Sequence, residues 1–352
     1  MSTMQPQKNR STSTDSGARV TLREVAALAG VSVTTASRAL NDAGRMQPET
    51  RRRVRQAAQT LGYRPNSIAR GLVQNRSFTL GLLTNDIYGR FTLPIATGLS
   101  RVLADRGVSV LLSSCHDDPR MTRLNLEALE EKRVDGLVIA GRRIDRSLPV
   151  ELPRSGLPIL HVMSAVPEGG VGFLPDDRGG ARLATQHLVN LGRRRIAHLT
   201  GPRGFESARL RELGWRYTLE DNHADAWGPA LFGEWSEQHG FEAALQMFGA
   251  DRGQLPPDAV FCGNDQIARG LIDGLTRLGV RIPEDVAVVG FDNWEIFADA
   301  TRPPLTTVDM GLVELGRRAG LGFLNMIEGL PVTEGVTHTP TELVVRASSA
   351  DT

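Results

Sequence analysis

The chain has 352 residues, 40% of them hydrophobic, enough for a small domain beside a large two-lobed one. Its net charge of +1 hides an asymmetry: residues 1–76 carry 13 Lys+Arg and 4 Asp+Glu, a balance of +9, against −8 for the remainder. A basic end on an acidic body directs a polyanion to the N-terminal part alone, and the two cysteines, Cys115 and Cys262, lie in apolar runs that suit buried thiols rather than a disulfide or a metal site.

Residues 1–19 are polar and rich in Ser, Thr and Gln. They are expected to be a disordered tail. They lack an apolar signal-peptide core, and no stretch of the chain is long enough to span a membrane, so a cytoplasmic location is expected. Residues 20–62 read as a three-helix headpiece. Thr21 and Glu24 have capping-box spacing. Leu22, Val25, Ala26 and Ala29 then fall on one helical face. Gly30 interrupts the pattern, Val31 plugs the corner, and Ser32 caps a second helix to about Leu40. Two short helices joined by a tight glycine turn form a helix-turn-helix. The second helix exposes Val33, Thr34, Ser37 and Arg38, short side chains and one arginine suited to a major groove. An ordinary surface helical hairpin is the competing reading. Pro48 opens a third helix as Pro does at N1, Val54, Ala57, Ala58 and Leu61 face inward, and Gly62 ends it. Residues 63–78 form a connector, with a short helix around Ile68, Ala69, Leu72 and Val73 that Gly71 weakens by about 1 kcal/mol relative to Ala.

The runs Val25-Ala-Ala-Leu-Ala-Gly-Val-Ser32, Ser37-Arg-Ala-Leu-Asn41 and Tyr63-Arg-Pro-Asn-Ser-Ile-Ala-Arg-Gly-Leu72 resemble the headpiece and hinge of the lactose-repressor (LacI/GalR) family of bacterial transcription regulators. The resemblance continues through the rest of the chain. It implies a small all-α headpiece joined to a two-lobed α/β effector domain like the periplasmic sugar-binding proteins. It also implies that Thr21, Ser37 and Asn41 hold phosphates, that Val33, Thr34 and Arg38 read bases, with Arg45 a further DNA contact, and that Leu72 wedges into the minor groove.

From residue 79 to 348 strands and helices alternate, which means βαβ units and parallel sheets. Strands are expected at Leu80–Thr84, Val108–Leu112, Gly136–Ala140 and Ile159–Met163. A second set follows, with strands at Ile196–Thr200, Ala259–Cys262 and Val286–Phe291. Helices are expected near Pro94–Asp105, Met121–Lys132, Gly179–Leu191, Ala208–Asp221, Glu237–Phe248, Gln266–Leu278 and Leu312–Glu328. The resemblance places chain crossovers near Met163, Phe291 and Pro304. Residues 349–352 are expected to be a tail.

Ligands of open parallel sheets bind beyond the carboxyl ends of strands. The polar residues there are Asp86, Arg142, Arg143, Asp176, Asp177, Ser207, Arg211, Asn264, Asp265, Asp292 and Asn293, with Phe91 and Trp235 as aromatic faces. Carboxylates, amides and an arginine facing an aromatic plate suit a sugar. Asp177 and Asp265 each begin a helix and suit a cap equally well. The resemblance sharpens this to an effector set of Asp86, Phe91, Asp176, Ser207, Arg211, Trp235, Asn264 and Asp292, with Arg209 outside. Around Asp86 and Phe91 the chain departs from the family: Tyr88-Gly-Arg-Phe replaces the usual Asn-Pro-Phe, which leaves their orientation open. The pair Arg142-Arg143 suits an acidic or phosphorylated effector, or solvent and interlobe salt bridges, the last two being favoured.

There is no phosphate-cradling glycine loop after a strand and no nucleophile elbow, and His187 and His198 read as core histidines, so neither catalysis nor a cofactor or metal is expected. The expected protein is a homodimeric repressor of carbohydrate-use genes that binds a near-palindromic operator and responds to a small sugar-like effector. The hinge makes an energetic statement, since isolated helices below about 12 residues are marginal. Leu72→Ala is expected to weaken specific DNA binding and reduce operator bending. Fluorescence transfer between operator ends reads the bend, and an unchanged bend would remove Leu72 as the wedge.

Overall fold

The computed structural model describes residues 20–41, 44–63, 71, 76–115, 117–149, 156–249 and 255–350. The expected N-terminal tail, residues 351–352 and the hinge around Leu72 lie outside the described residues. The chain divides into two compact units, Met1–Asn75 and Arg76–Thr352.

In the first unit, helices α1 (Leu22–Ala29), α2 (Val33–Leu40) and α3 (Pro48–Thr60) enclose a core of small side chains. Val25, Ala26, Ala29, Ala36, Ala39, Val54, Ala57 and Ala58 are buried together, and Val31, Leu40, Leu61 and Tyr63 pack against them. The Glu24 carboxylate accepts from the Thr21 backbone N–H (2.6 Å) and hydroxyl (2.8 Å), fixing the start of α1. Gly30 sits at φ +61°, a left-handed corner where a side chain is strained. Ser32 Oγ then accepts from Thr35 N at 3.1 Å and starts α2.

The second unit holds two parallel sheets. The first lobe orders its six strands β12 (Gly335–Thr339), β5 (Val171–Pro175), β4 (Ile159–Val162), β3 (Gly136–Ala140), β1 (Thr79–Thr84) and β2 (Ser109–Ser114), all parallel. The second lobe orders β13 (Glu342–Val344), β11 (Thr306–Asp309), β10 (Ala287–Asp292), β9 (Ala259–Cys262), β6 (Arg195–Thr200) and β7 (Asp225–Ala226), with β8 (Leu231–Phe232) also on β6. Only β13, among the described strands of this lobe, runs antiparallel to its neighbour. Helices α4 (Thr92–Leu103) and α5 (Pro119–Glu131) cover the first lobe, and α6 (Asp177–Asn190), α7 (Glu206–Asp221), α8 (Glu237–Phe248), α9 (Asp265–Arg277) and the short α10 (Glu295–Ala298) belong to the second. Helix α11 (Leu312–Ile327) returns to the first lobe and crosses α4 closely. A Cβ on Gly98 would lie 2.0 Å from Val313 O, and one on Gly316 2.1 Å from Ile95 O, so this crossing requires both glycines.

The chain therefore passes between lobes after Pro175, at Met310-Gly311 and at Pro340-Thr341. The crossovers expected near Met163, Phe291 and Pro304 are corrected, in chain order, by about 12, 19 and 36 residues. The reason is that β5, β11 and β12 are poor in the apolar runs that announce strands. Val171-Gly-Phe-Leu-Pro is broken by glycine and proline, and Thr306-Thr-Val-Asp is mostly polar, yet Thr306 and Thr307 are fully buried. Pro303-Pro304 leads into β11 rather than across to the other lobe. Two boundaries also move. Asp135 accepts from Ser77 N (2.7 Å), Phe78 N (3.0 Å) and Arg76 Nε (3.3 Å), which ties residues 76–78 to the first lobe and not to a connector. Ser349, expected in the tail, is buried with its hydroxyl 2.7 Å from Thr306 Oγ1.

His198 lies in the second-lobe core between the rings of Phe261 (4.6 Å) and Trp215 (5.5 Å). Its Nδ1 donates to Phe261 O at 2.9 Å, and burial pulls its pKa down to about 3. A folded-state pKa below the ordinary 6.5 contributes stability that is complete above pH 6.5 and lost as pH falls toward 3. Asp265 opposes it: burial raises this carboxyl to about 6, so its contribution is complete below 3.8 and lost as pH rises to 6. The melting-temperature difference between wild type and His198→Phe should therefore move in favour of the variant between pH 6.5 and 4. A pH-independent difference would mean that His198 ionises inside the fold.

Candidate functional site

Two surfaces carry the chemistry. On the headpiece, Thr21, Val33, Thr34, Arg38, Asn41 and Arg45 are exposed and Ser37 is half-buried. The periodicity of α2 puts its apolar face, Ala36 and Ala39, into the core and leaves the other side outward. Asn41 Nδ2 donates back to Ser37 O at 3.0 Å, which closes the C-terminus of α2. No described hydrogen bond or ion pair engages the Arg38 or Arg45 guanidinium.

The second surface is a cleft of about 620 Å³ between the two lobes. Each sheet presents its carboxyl edge to it. Asn85, Asp117, Arg142, Arg143 and Met163 follow β1 to β4 of the first lobe, and Asp177, Ser207, Trp235, Asn264, Asp292 and Met310 follow strands of both sheets onto the second. Six of the eight expected effector residues line this cleft: Phe91, Ser207, Arg211, Trp235, Asn264 and Asp292.

Asp86 and Asp176 do not. Asp86 Oδ2 accepts from Phe91 N (2.7 Å) and Thr92 N (2.9 Å), and so ties down the start of α4. Asp176 Oδ1 accepts from Gly179 N (2.8 Å) as the cap of α6. The neighbour Asp177 takes the place expected of Asp176. A helix turns successive side chains by about 100°, so the cap and the first helical residue face different ways. Sequence alone assigns Asp177 to a cap or a ligand with equal ease.

Arg211 projects from α7 into the base of the cleft with 6% of its side chain exposed, facing Asp177 at 1%. Its Nε donates to Asp177 Oδ1 at 2.8 Å, its Nη1 donates to Gly263 O, and Nη1 stands 3.6 Å from Asp292 Oδ1. Its guanidinium lies 3.7 Å from the Phe291 ring centroid. Asp177 Oδ2, buried, has no partner among the described residues and remains an acceptor at the cleft wall. Arg209, two residues back and so on the opposite side of α7, pairs with Glu206 at 3.0 Å and is exposed, as expected. Asn264 caps α9 through Oδ1 to Ile267 N (2.8 Å) and lines the cleft as well.

The aromatic wall is Phe91, Phe205 and Trp235, the last two edge to face at 5.9 Å. Trp235 rests on Gly201, where a Cβ would come 2.0 Å from the indole ring. Only glycine admits that approach. Phe205 is absent from the sequence-derived set, because a lone phenylalanine in a loop carries no signal of its own.

Arg90 is the main addition to the sequence reading. It belongs to the first lobe and reaches the second. Its Nη2 pairs with Asp292 Oδ2, its Nη1 donates to Gln266 Oε1 at 3.1 Å, and its guanidinium sits 4.7 Å from the Trp294 ring. Burial pulls its pKa down to about 10, so it stays charged at neutral pH. Arg143 makes a second bridge: Nη2 donates to Gly204 O at 2.7 Å and the guanidinium stacks 3.7 Å from the Phe205 ring, while Asp145 holds its Nε. The departure Tyr88-Gly-Arg-Phe thus supplies an interlobe latch.

The profile described as "Bacterial regulatory proteins, lacI family" matches residues 21–66, and that of a "Periplasmic binding protein-like domain" matches residues 185–349. The ribose operon repressor of Escherichia coli (strain K12) is 34% identical over 304 residues, covering 85% of this chain and 90% of that protein. The chain belongs to the lacI family. The HTH-type transcriptional repressor CytR of the same strain is 30% identical over 338 residues, 94% of this chain and 96% of that one. A solved lac repressor dimer bound to operator and the anti-inducer ONPF shares 30% identity, covers 95% of this chain and all of that one, and superposes with a TM-score of 0.70. A complex of the transcriptional regulator CelR with cellobiose shares 29% identity over 94% of this chain, with a TM-score of 0.65. As a lacI-family protein the chain is a DNA-binding regulator and not an enzyme. No described helix is long and apolar enough to cross a membrane.

The latch generates a prediction. Removing a buried ion-pair partner costs on the order of 3 kcal/mol. Arg90→Ala should loosen the lobes, raising hydrogen exchange in residues 292–294 and the radius of gyration of the effector domain. Unchanged exchange at Asp292 and Trp294 would count against the latch.

Proposed function

We propose that this lacI-family protein is a repressor of carbohydrate-use genes whose operator affinity is set by a small sugar-like effector in the interlobe cleft. The observation that carries this reading is the cleft itself. Its size suits a small ligand. It joins an aromatic wall to acceptors at Asp177 and Asp292 and donors at Arg211 and Asn264. A sugar ring offers an apolar face to stack and a rim of hydroxyls that both donate and accept. The ribose operon repressor and the CelR–cellobiose complex among the similar proteins point the same way.

Two copies present their headpieces to successive major grooves of a near-palindromic operator. Thr21, Ser37, Asn41 and Arg45 hold the backbone, Val33, Thr34 and Arg38 read bases, and Leu72 enters the minor groove. The protein acts in the cytoplasm, where its DNA is. Effector hydroxyls compete with the Arg90 guanidinium for Asp292 and shift the lobe angle. Effector and operator affinities are then reciprocally coupled.

Fluorescence anisotropy with labelled operator and random DNA tests both halves. Arg38→Ala should cost about 1–3 kcal/mol on operator and relax base preference. Equal loss on random DNA would sink the base-reading role. Arg211→Ala and Trp235→Ala should abolish release by the effector while leaving operator binding intact. Trp235→Ala is the cleaner variant, since it orphans no buried charge. Release at the wild-type effector concentration in both would refute the cleft assignment.

A further inference from the structure

Five arginines line the cleft, Arg90, Arg142, Arg143, Arg146 and Arg211, against three aspartates, Asp117, Asp177 and Asp292. The two inner arginines are matched, Arg211 by Asp177 and Arg90 by Asp292. The excess therefore sits on one loop of the first lobe, residues 142–146 after β3. Arg143 is balanced by Asp145. Arg142 spends one donor on Asp117 Oδ2 (2.7 Å), in a pair that is half exposed on both sides. Arg146 is exposed and has no ion pair among the described residues. The unmatched charge is thus Arg146, beside an Arg142 that is only partly engaged, and a neutral sugar gives a cleft no reason to keep it there.

We propose that the effector is an anionic polyol, a sugar carrying a phosphate ester or a carboxylate, with its anionic group at the Arg142–Arg146 rim and its hydroxyls at Arg211, Asp177 and Asp292. This rests on the reading of the cleft as the effector site. Arg146, and the donors that Arg142 does not spend on Asp117, offer guanidinium N–H groups that oxyanions accept two at a time, while the Nε and Nη2 of Arg143 are taken by Asp145. Arg143 is pre-positioned by its stacking on Phe205 and its bond to Gly204 O, so the anion meets a rim already spanning both lobes. The anion adds contacts to that bridge and favours the closed arrangement of the lobes.

Calorimetry on the full chain with matched pairs tests this: ribose against ribose 5-phosphate, glucose against glucose 6-phosphate and gluconate, with inorganic phosphate alone as a further arm. In at least one pair the anionic member should bind about tenfold or more tighter than its parent. Arg146→Ala and Arg142→Ala should each reduce that preference to below about threefold, with Arg146→Lys retaining part of it. Preference for the phosphate or for the acid identifies which anion the rim serves. A parent sugar that binds as well as its anionic partner overturns the proposal and leaves the cleft reading intact. Inorganic phosphate binding that survives both substitutions overturns it too. If no member of any pair binds, the cleft reading fails and the proposal with it.

Discussion

The effector domain is built around a buried charge that has to be answered. Arg211 is driven into the interlobe base by its place on α7, where Ala208, Trp215 and Leu219 share the inner side. A guanidinium out of water is tolerable only if paired and hydrogen-bonded. Asp177, the Gly263 carbonyl and Asp292 answer it, one from the start of α6, one from the turn after β9 and one from the end of β10. Removing a partner from such a cluster costs about 3–5 kcal/mol, because the remaining charge stays buried. Asp177 is doubly suited, since the N-terminus of a helix also stabilises a carboxylate. The same cluster leaves acceptor capacity at Asp177 Oδ2. The buried charge is thus matched within the protein, and an acceptor remains at the cleft wall.

Arg90 ties this cluster to the opposite lobe. Asp292 stands between two guanidiniums, Arg211 from its own lobe and Arg90 from the other. The lobes are thus tied together through Asp292, a carboxylate that also lines the cleft. Three crossing segments, near Asp176, Gly311 and Pro340, carry the chain between lobes close to these groups. Gly98 and Gly316 let α11 press onto α4, so the helix that follows one crossover is fixed to the first lobe at backbone distance. Motion at the crossovers consequently moves whole lobes.

The headpiece was legible because its rules are local. Capping-box spacing at Thr21 and Glu24, a left-handed glycine at 30 and a serine cap at 32 lie within twelve residues and appear in the structure as hydrogen bonds and dihedral angles. The strands that begin lobes with apolar runs were equally legible, and so were most helices. The cleft set was read from one general rule, that polar residues after parallel strands face the ligand. That rule located Arg211, Asn264 and Asp292, and it failed where a carboxylate has a second local use. Asp176 caps α6, and Asp86 holds the Phe91 and Thr92 backbone N–H groups at the start of α4, so both carboxylates are spent on local backbone.

The sequence by itself determined the helix-turn-helix, the alternation of strands and helices, and the charge split between the two ends, since each rests on neighbours in the chain and on periodicity. It did not determine where the chain changes lobes. Strands β5, β11 and β12 are defined by the partners they pair with and carry little apolar pattern of their own. Nor did it determine that Arg90 meets Asp292, 202 residues away, or that Arg143 stacks on Phe205. Long-range ion pairs leave no mark on local sequence, because either partner alone reads as an ordinary surface charge. Only the packing of two sheets edge to edge brings them within reach and withdraws the water that would otherwise screen them.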